Sequence, residues 1–209
     1  MENYTFDISL SILNHLGRNL YRSFITVLGE AISNAWDANA DNVYVTIDRN
    51  SSTFTIRDDG DGMDPEDFQG KFLKIGYSKR EGGAIRSDGK NRPFIGRKGI
   101  GKLALFSCAK RITVISKKKG KDIVGGVIDN AGLDEAIKED VSAGKYQLGT
   151  IDSTILAKYC SELNTESGTL IIFNDVNDGI KNRVEYIRKL IALYFRFSLL
   201  DASFNIYHL

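Results

Sequence analysis

The stretch "GEAISNAWDANADNVYVTID", residues 29 to 48, changes period part-way and thereby decides the fold. Its first half continues an apolar stripe at helical spacing, with Ile25, Leu28, Ile32 and Ala35 on one face. After Asp41 the period becomes two: Val43, Val45 and Ile47 alternate with polar residues, as in a half-buried strand. A helix over 20–40 therefore feeds a strand, and a helical layer must lie on a sheet. The helix carries a second face, because Glu30, Asn34 and Asp37 stand at i, i+4 and i+7. Polar residues at this spacing ordinarily face solvent. A carboxylate and an amide one turn apart can instead position a water and a hard cation, since Mg²⁺ takes oxygen ligands and keeps several waters.

Downstream, the polar run DRNSS separates this strand from a second one around Phe54 and Ile56, which predicts an antiparallel hairpin. The second strand empties into "RDDGDGMDPEDF", residues 57 to 68. Asp64 followed by Pro65 is an N-cap with proline at the first helical position, so a short helix is predicted from Pro65 to Lys74. Glycines at alternate positions in DGDG let the backbone turn sharply and approach a flat ligand, and a strand-end carboxylate can accept from an exocyclic amine. The same residues would also make a plain turn with a helix cap. They do not recur at the spacing of an EF-hand calcium loop.

Periodicity disappears over residues 76 to 101, "GYSKREGGAIRSDGKNRPFIGRKGIG". A loop this long inside a compact domain is usually functional. It opens into "IGKLALFSCA", read as a helix, so Gly96-Arg97-Lys98-Gly99-Ile100-Gly101-Lys102 sits at a helix mouth, where free N–H groups and the dipole favour an anion. The glycines fit neither a P-loop nor convincingly a Rossmann fingerprint. Further strands are read at "RITVISK", "DIVGGVI" and "GTLIIFNDV", with KKKGK as a solvated hairpin turn, a helix in "NRVEYIRKLIALYFRFS" and a strand beginning in "SFNIYHL". Residues 129 to 165 show no decisive pattern. The fold class is α+β: a two-layer sandwich in which helices cover one face of a mixed, mostly antiparallel sheet.

Composition excludes several classes. With 209 residues, 42% hydrophobic and 26% charged, the chain suits one large globular domain. A net charge of +1 provides no global field for nucleic acid or anionic membranes. Cys108 and Cys160 lie far apart in no metal-binding spacing, and neither a signal sequence nor a membrane span is seen, so a soluble, cytoplasmic protein is expected. His15 and His208 join no catalytic constellation, and Trp36 reads as core.

Taken together and in order, "ExxxNAxDA" at Glu30, Asn34-Ala35 and Asp37-Ala38, "DxGxGM" at Asp58, Gly60, Gly62 and Met63, "GxxGxG" at Gly96, Gly99 and Gly101, and "GT" at Gly168-Thr169 resemble the Bergerat-fold ATPases. This is the GHKL group of gyrase B, heat-shock ninety chaperones, histidine kinases and MutL. The wording "IGYSKR" and "IGRKGIGKLALFSCA" is most similar to the chaperone, MutL and MORC branches. The resemblance implies a domain over 20–198, preceded by an N-terminal segment 1–19 and followed from 199 by the start of a further domain. It implies ATP and Mg²⁺ as cofactors, ATP-driven closure of a lid over about 77–101, and pairing into a homodimer in the full-length protein.

By the same resemblance, Glu30 is the general base for water and Asn34 the Mg²⁺ ligand, while Asp37 orders the nucleotide site. Asp58 binds the adenine amino group with Thr169 in support, and Gly60, Gly62 and Met63 shape the base pocket. Lys98, Gly99, Ile100, Gly101 and Lys102 meet the phosphates. Between residues 78 and 102 eight Lys or Arg face two acids; a solvated, phosphate-facing lid is favoured over a DNA patch. An ATPase, slow as an isolated domain, is the leading expectation. A histidine-kinase-type phosphotransferase and a nucleotide-gated scaffold with little turnover are the alternatives.

Overall fold

The computed structural model describes residues 5–7, 24–48, 50–74, 77, 85–95, 109–130, 145–162, 166–176, 184–195 and 201–208. Helix α1, Phe24–Asp37, stops before the expected Ala40 because Asn39 turns left-handed at φ 61°. Ala40 N–H then returns to the Ala35 carbonyl and Asn39 N–H to that of Trp36, so the last carbonyls are capped by the chain itself. Strands β2, Asn42–Asp48, and β3, Thr53–Asp58, form the expected antiparallel hairpin. Its turn is held by Asp48, which accepts the N–H groups of Asn50 and Ser51.

Helix α2, Pro65–Asp67, begins at the predicted cap, where the Asp64 carboxylate accepts Asp67 N–H at 2.9 Å. It does not run on as a regular helix to Lys74. Residues Phe68–Phe72 form one wider π turn closed by Leu73 N–H on the Phe68 carbonyl. This turn buries Phe68 and Leu73 together, while the Phe68 and Phe72 rings stack 5.4 Å apart.

Strands β4, Ala109–Lys117, β5, Ile123–Asp129, and β7, Gly168–Val176, match the three later strands read from the sequence. Two elements fall in the stretch without a pattern: β6, Lys145–Gln147, and α3, Ser153–Glu162. Strand β6 pairs antiparallel with β1, Thr5–Asp7, as a separate two-stranded ladder. Helix α4 is Val184–Tyr194, and the last strand, β8, is Asn205–His208. The main sheet has the order β5-β4-β7-β3-β2-β8, antiparallel throughout except where β8 runs parallel to β2. The stretch from 199, expected to open a further domain, thus contributes an edge strand to this sheet.

Alternation along the strands splits the apolar residues into two layers. Val43, Val45, Phe54, Ile56, Ile112, Val114, Ile171 and Phe173 join Val27, Leu28, Ala31, Ile32, Ala35 and Trp36 of α1 in the main core. On the opposite face a smaller cluster of Ile115, Leu170 and Ile172 is covered by Ile151 and by Ile155 and Leu156 of α3. Among the described residues no helix is long and apolar enough to cross a membrane.

Candidate functional site

Asp58 is the last residue of β3, in phase with buried Phe54 and Ile56, and so lies on the face that carries α1. Register places it opposite Thr169 of β7 on one side and Val43 of β2 on the other, and Thr169 in turn opposite Ser116 of β4. One transverse row, Val43, Asp58, Thr169 and Ser116, therefore crosses four strands at one end of the sheet. Sequence reading singled out Asp58 and Thr169 but missed Ser116. Its hydroxyl is fully buried and touches Thr169 Oγ1 at 2.9 Å, the Gly168 carbonyl at 3.1 Å and Met63 N–H at 3.0 Å. A signal was present: in RITVIS, Ser116 is a polar residue in the inward phase of Ile112 and Val114.

The acids of the DGDG loop have separate duties. Asp58 Oδ1 accepts Gly60 N–H at 2.9 Å. Asp59 instead holds the helix-to-strand corner, accepting from the Asp41 and Asn42 N–H groups and from the Asn42 amide at 2.7–2.8 Å. Asp61 accepts from Asn39, and its own N–H reaches the Ala38 carbonyl at 2.7 Å. The loop is thus seated against the C-terminal end of α1. Gly62 has φ +66°, and a Cβ there would run into the Lys117 carbonyl oxygen. Gly168, at φ +145°, lies equally close to the Asp58 carbonyl. Their lack of a side chain is required for three backbones to meet beside the Asp58–Thr169–Ser116 row.

An ion cluster fixes the loop from the other side. Lys118 Nζ lies 2.9 Å from Asp64 and 2.6 Å from Asp67, so the KKKGK turn does more than face solvent. The Asp67 N–H, and after it Lys118, lower the Asp64 pKa to about 2, while the two carboxylates raise that of Lys118.

On α1, Glu30 and Asn34 are half-buried, and no hydrogen bond joins the Asn34 side chain to another described residue. At 1.5 Å rise per residue Asn34 stands about 6 Å, and Glu30 about 12 Å, up the axis from Ala38, where the DGDG loop docks. Asp37 departs from the solvent-facing alternative. It is buried, and its Oδ1 accepts Ile95 N–H at 2.9 Å, immediately before the glycine loop.

The expected lid is fastened down through its middle. Residues 85–95 form a tight hairpin in which Ser87 N–H bonds the Arg92 carbonyl and Phe94 N–H that of Ile85. Arg92, 3% exposed, lies over the Trp36 ring at 4.6 Å and donates to the Ala40 carbonyl, to Ser203 and, from two nitrogens at 2.7 and 2.8 Å, to Asp201. Trp36 Nε1–H bonds the Pro93 carbonyl at 3.0 Å, Asn39 accepts Lys90 N–H, and Lys90 pairs with Asp41. Nothing in the sequence marked Arg92. Trp36, by contrast, is core as expected, edge-on to Phe204. Lys98, Gly99, Ile100, Gly101 and Lys102, the expected phosphate residues, lie outside the described residues, as does His15.

A family model described as histidine kinase-, DNA gyrase B-, and HSP90-like ATPase matches residues 21–154, the span that holds α1, the hairpin, the DGDG loop and the glycine loop. The chain belongs to this ATPase family. Among curated members and relatives, it is 34% identical over 202 residues to a putative type II restriction enzyme HgiDII of Herpetosiphon aurantiacus, covering 97% of this chain and 30% of that protein. It is 27% identical over 218 residues to the chaperone protein HtpG of Treponema denticola, covering 93% of this chain and 34% of the chaperone. With HtpG of Rickettsia canadensis the identity is 32% over 174 residues, 71% of this chain and 27% of the relative. The chain spans about a third of the length of these relatives. What it shares with them is therefore the HSP90-like ATPase domain.

Proposed function

We propose that the chain binds ATP with its adenine against the Asp58–Thr169 row and its phosphates along α1 toward Glu30, and that it hydrolyses the γ-phosphate. The observation that carries this reading is the placement of Asp58 and Thr169 as cross-strand partners beside a glycine loop that docks on the very helix bearing Asn34 and Glu30. An acceptor pair at the base end and a carboxylate about 12 Å along the helix suit a ligand with a donor-bearing base and a distant reactive group.

In this reading Glu30 takes a proton from the water whose oxygen attacks the γ-phosphorus, and ADP leaves with the bridging oxygen. Asn34 fits a magnesium site: its amide makes no bond to another described residue, and no cluster of three or more acidic, His or Cys side chains exists among the described residues. Mg²⁺ commonly relies on one or two protein oxygens plus phosphates and water, and when bound it neutralises phosphate charge. Asp37 holds the Ile95 end of the glycine loop, which is how it would order the phosphate site. Lid closure and pairing of two copies belong to the same reading. The named relatives, a restriction enzyme and chaperones, have a module in common and not a task, so the proposal is placed on the ATP cycle itself.

Calorimetric titration of ATP, ADP and GTP with Mg²⁺ tests it. Glu30→Ala should retain ATP binding and lose roughly 10²–10⁴-fold in turnover. Asp58→Asn should weaken adenine nucleotides selectively, by about 1–3 kcal/mol. Absence of ATP binding by the folded wild type would remove the reading.

A further inference from the structure

We propose that Ser116 sets the polarity of the base-reading wall, by obliging the Thr169 hydroxyl to face the ligand as a hydrogen-bond acceptor; this rests on the adenine pocket proposed above. A serine hydroxyl has one hydrogen to give and two lone pairs to fill. Ser116 Oγ has three neighbours. The Gly168 carbonyl, 3.1 Å away, can only accept, so the contact is a hydrogen bond only if Ser116 supplies its hydrogen. Met63 N–H, at 3.0 Å, can only donate and fills one lone pair. Thr169 Oγ1, at 2.9 Å, is the one partner able to act either way, and the remaining lone pair of Ser116 is what it meets. The alternative, Ser116 donating to Thr169, would leave the Gly168 carbonyl facing the oxygen of a fully buried hydroxyl with no hydrogen between them.

Thr169 thus spends its only hydrogen on Ser116 and presents lone pairs alone to whatever lies beside it. Its cross-strand partner is Asp58, which as a carboxylate also only accepts. Directly opposed residues on one sheet face stand about 5 Å apart at Cβ, so the two form a single acceptor wall. A purine with an amino group at position 6 offers this wall hydrogens. A 6-oxo purine turns an acceptor toward the wall at that position, keeps only its N1–H to offer, and binds less well. Discrimination between amino and oxo bases accordingly depends on a buried residue on a strand that is not adjacent to Asp58. Ser116 is a positioning residue and has no need to touch the ligand.

The test is the ratio of ATP to inosine triphosphate affinity, measured by calorimetry with Mg²⁺, in the wild type, Ser116→Ala and Ser116→Thr. Inosine presents a 6-oxo acceptor and an N1–H donor where adenosine presents a 6-amino donor and an N1 acceptor, so the ratio reads the polarity of this edge of the base. The wild type should prefer ATP, and Ser116→Ala, in which Thr169 regains a free hydrogen, should narrow the preference by roughly tenfold. Ser116→Thr keeps the hydroxyl and should keep the preference. If the alanine variant does not fold, Ser116→Cys supplies a near-isosteric weak donor and should narrow the ratio in the same direction. An unchanged ratio in a folded Ala or Cys variant overturns the polarity assignment while leaving the nucleotide reading intact. A wild type that binds neither nucleotide overturns both, and one that binds the two equally overturns the base-reading wall alone.

Discussion

Two regions that meet at the C-terminal end of α1, sharing the Asn39 amide, are held by different means. In the first, Asp58, Thr169 and Ser116 are set by strand register, and the loop beside them is fixed by backbone packed against backbone at Gly62 and Gly168. In the second region, the 85–95 hairpin contributes no strand to the main sheet and is held by side chains, with Arg92 at the centre. A register is shared by many residues and tolerates most single changes. A clamp concentrates its strength in one guanidinium.

The sharpest way to break this contrast is Arg92→Ala. It strands the buried Ala40 carbonyl and one partner of Asp201, and should cost about 3–5 kcal/mol in a urea titration. Trp36, the only tryptophan, lies under the guanidinium and reports the loss by a red-shifted emission. Arg92→Lys should not restore stability, because an ammonium cannot make the two-pronged contact to Asp201 together with the Ala40 bond. A loss below about 1 kcal/mol would mean that the hairpin is held otherwise.

Next in size is Gly62→Ala, expected to cost about 2–3 kcal/mol from left-handed backbone and a collision with Lys117. Gly120 supplies the control: its φ is +71° but nothing lies within 4 Å of a Cβ, so Gly120→Ala should lose only about 1 kcal/mol. Equal losses at the two glycines would remove close backbone approach as the reason for DGDG.

Acid should loosen both regions in one window. The pKa of Asp201 is lowered to about 2, first by the Ser203 hydroxyl and N–H and then by Arg92; Asp64 is lowered to about 2 in the first region. A depressed carboxylate stabilises the fold above its ordinary value of 3.8, and that stability is lost as pH falls toward 2. Asp201→Asn should flatten the acid limb read by Trp36 emission, and Asp64→Asn should flatten it only when secondary structure is followed. His208 acts earlier: burial, and after it Arg188, lowers its pKa below 6.5, so the unfolded chain gains protons first and stability declines as pH drops below that value. The smallest effect is Lys118→Met. Its pair with Asp64 and Asp67 is partly exposed, and its loss should cost under about 1 kcal/mol and fade in high salt.

How far the sequence could be read follows the same division. The period change between Ala40 and Val43 and the DRNSS and KKKGK turns announced the β2–β3 and β4–β5 pairings, because period and turn chemistry are local, whereas GTLIIFNDV was legible as a strand but not by its neighbours. Asp58 could be singled out from the turn it opens, and Thr169 only through the resemblance of Gly168-Thr169 to the family pattern. Ser116 was visible only as a polar residue in inward phase, which has meaning once its cross-strand partner is known. Arg92 could not be found: its partners are Ala40 and Asp201, and no local pattern connects them. The π turn at Phe68–Phe72 was likewise settled by which rings the core accepts, and β8 by a parallel pairing that has no turn to announce it.

That parallel edge strand also dictates an order of assembly. Strand β8 pairs with β2 only after residues 205–208 have been made, and Asp201 meets Arg92 across 109 residues. Contacts closing loops of this size form late, since their entropy must be lost before any bond is gained. During synthesis, the row of Asp58, Thr169 and Ser116 can assemble once β7 has emerged, whereas the Asp201 half of the Arg92 clamp is added only later. A nascent chain therefore completes the register around Asp58 before it completes the clamp on the 85–95 hairpin.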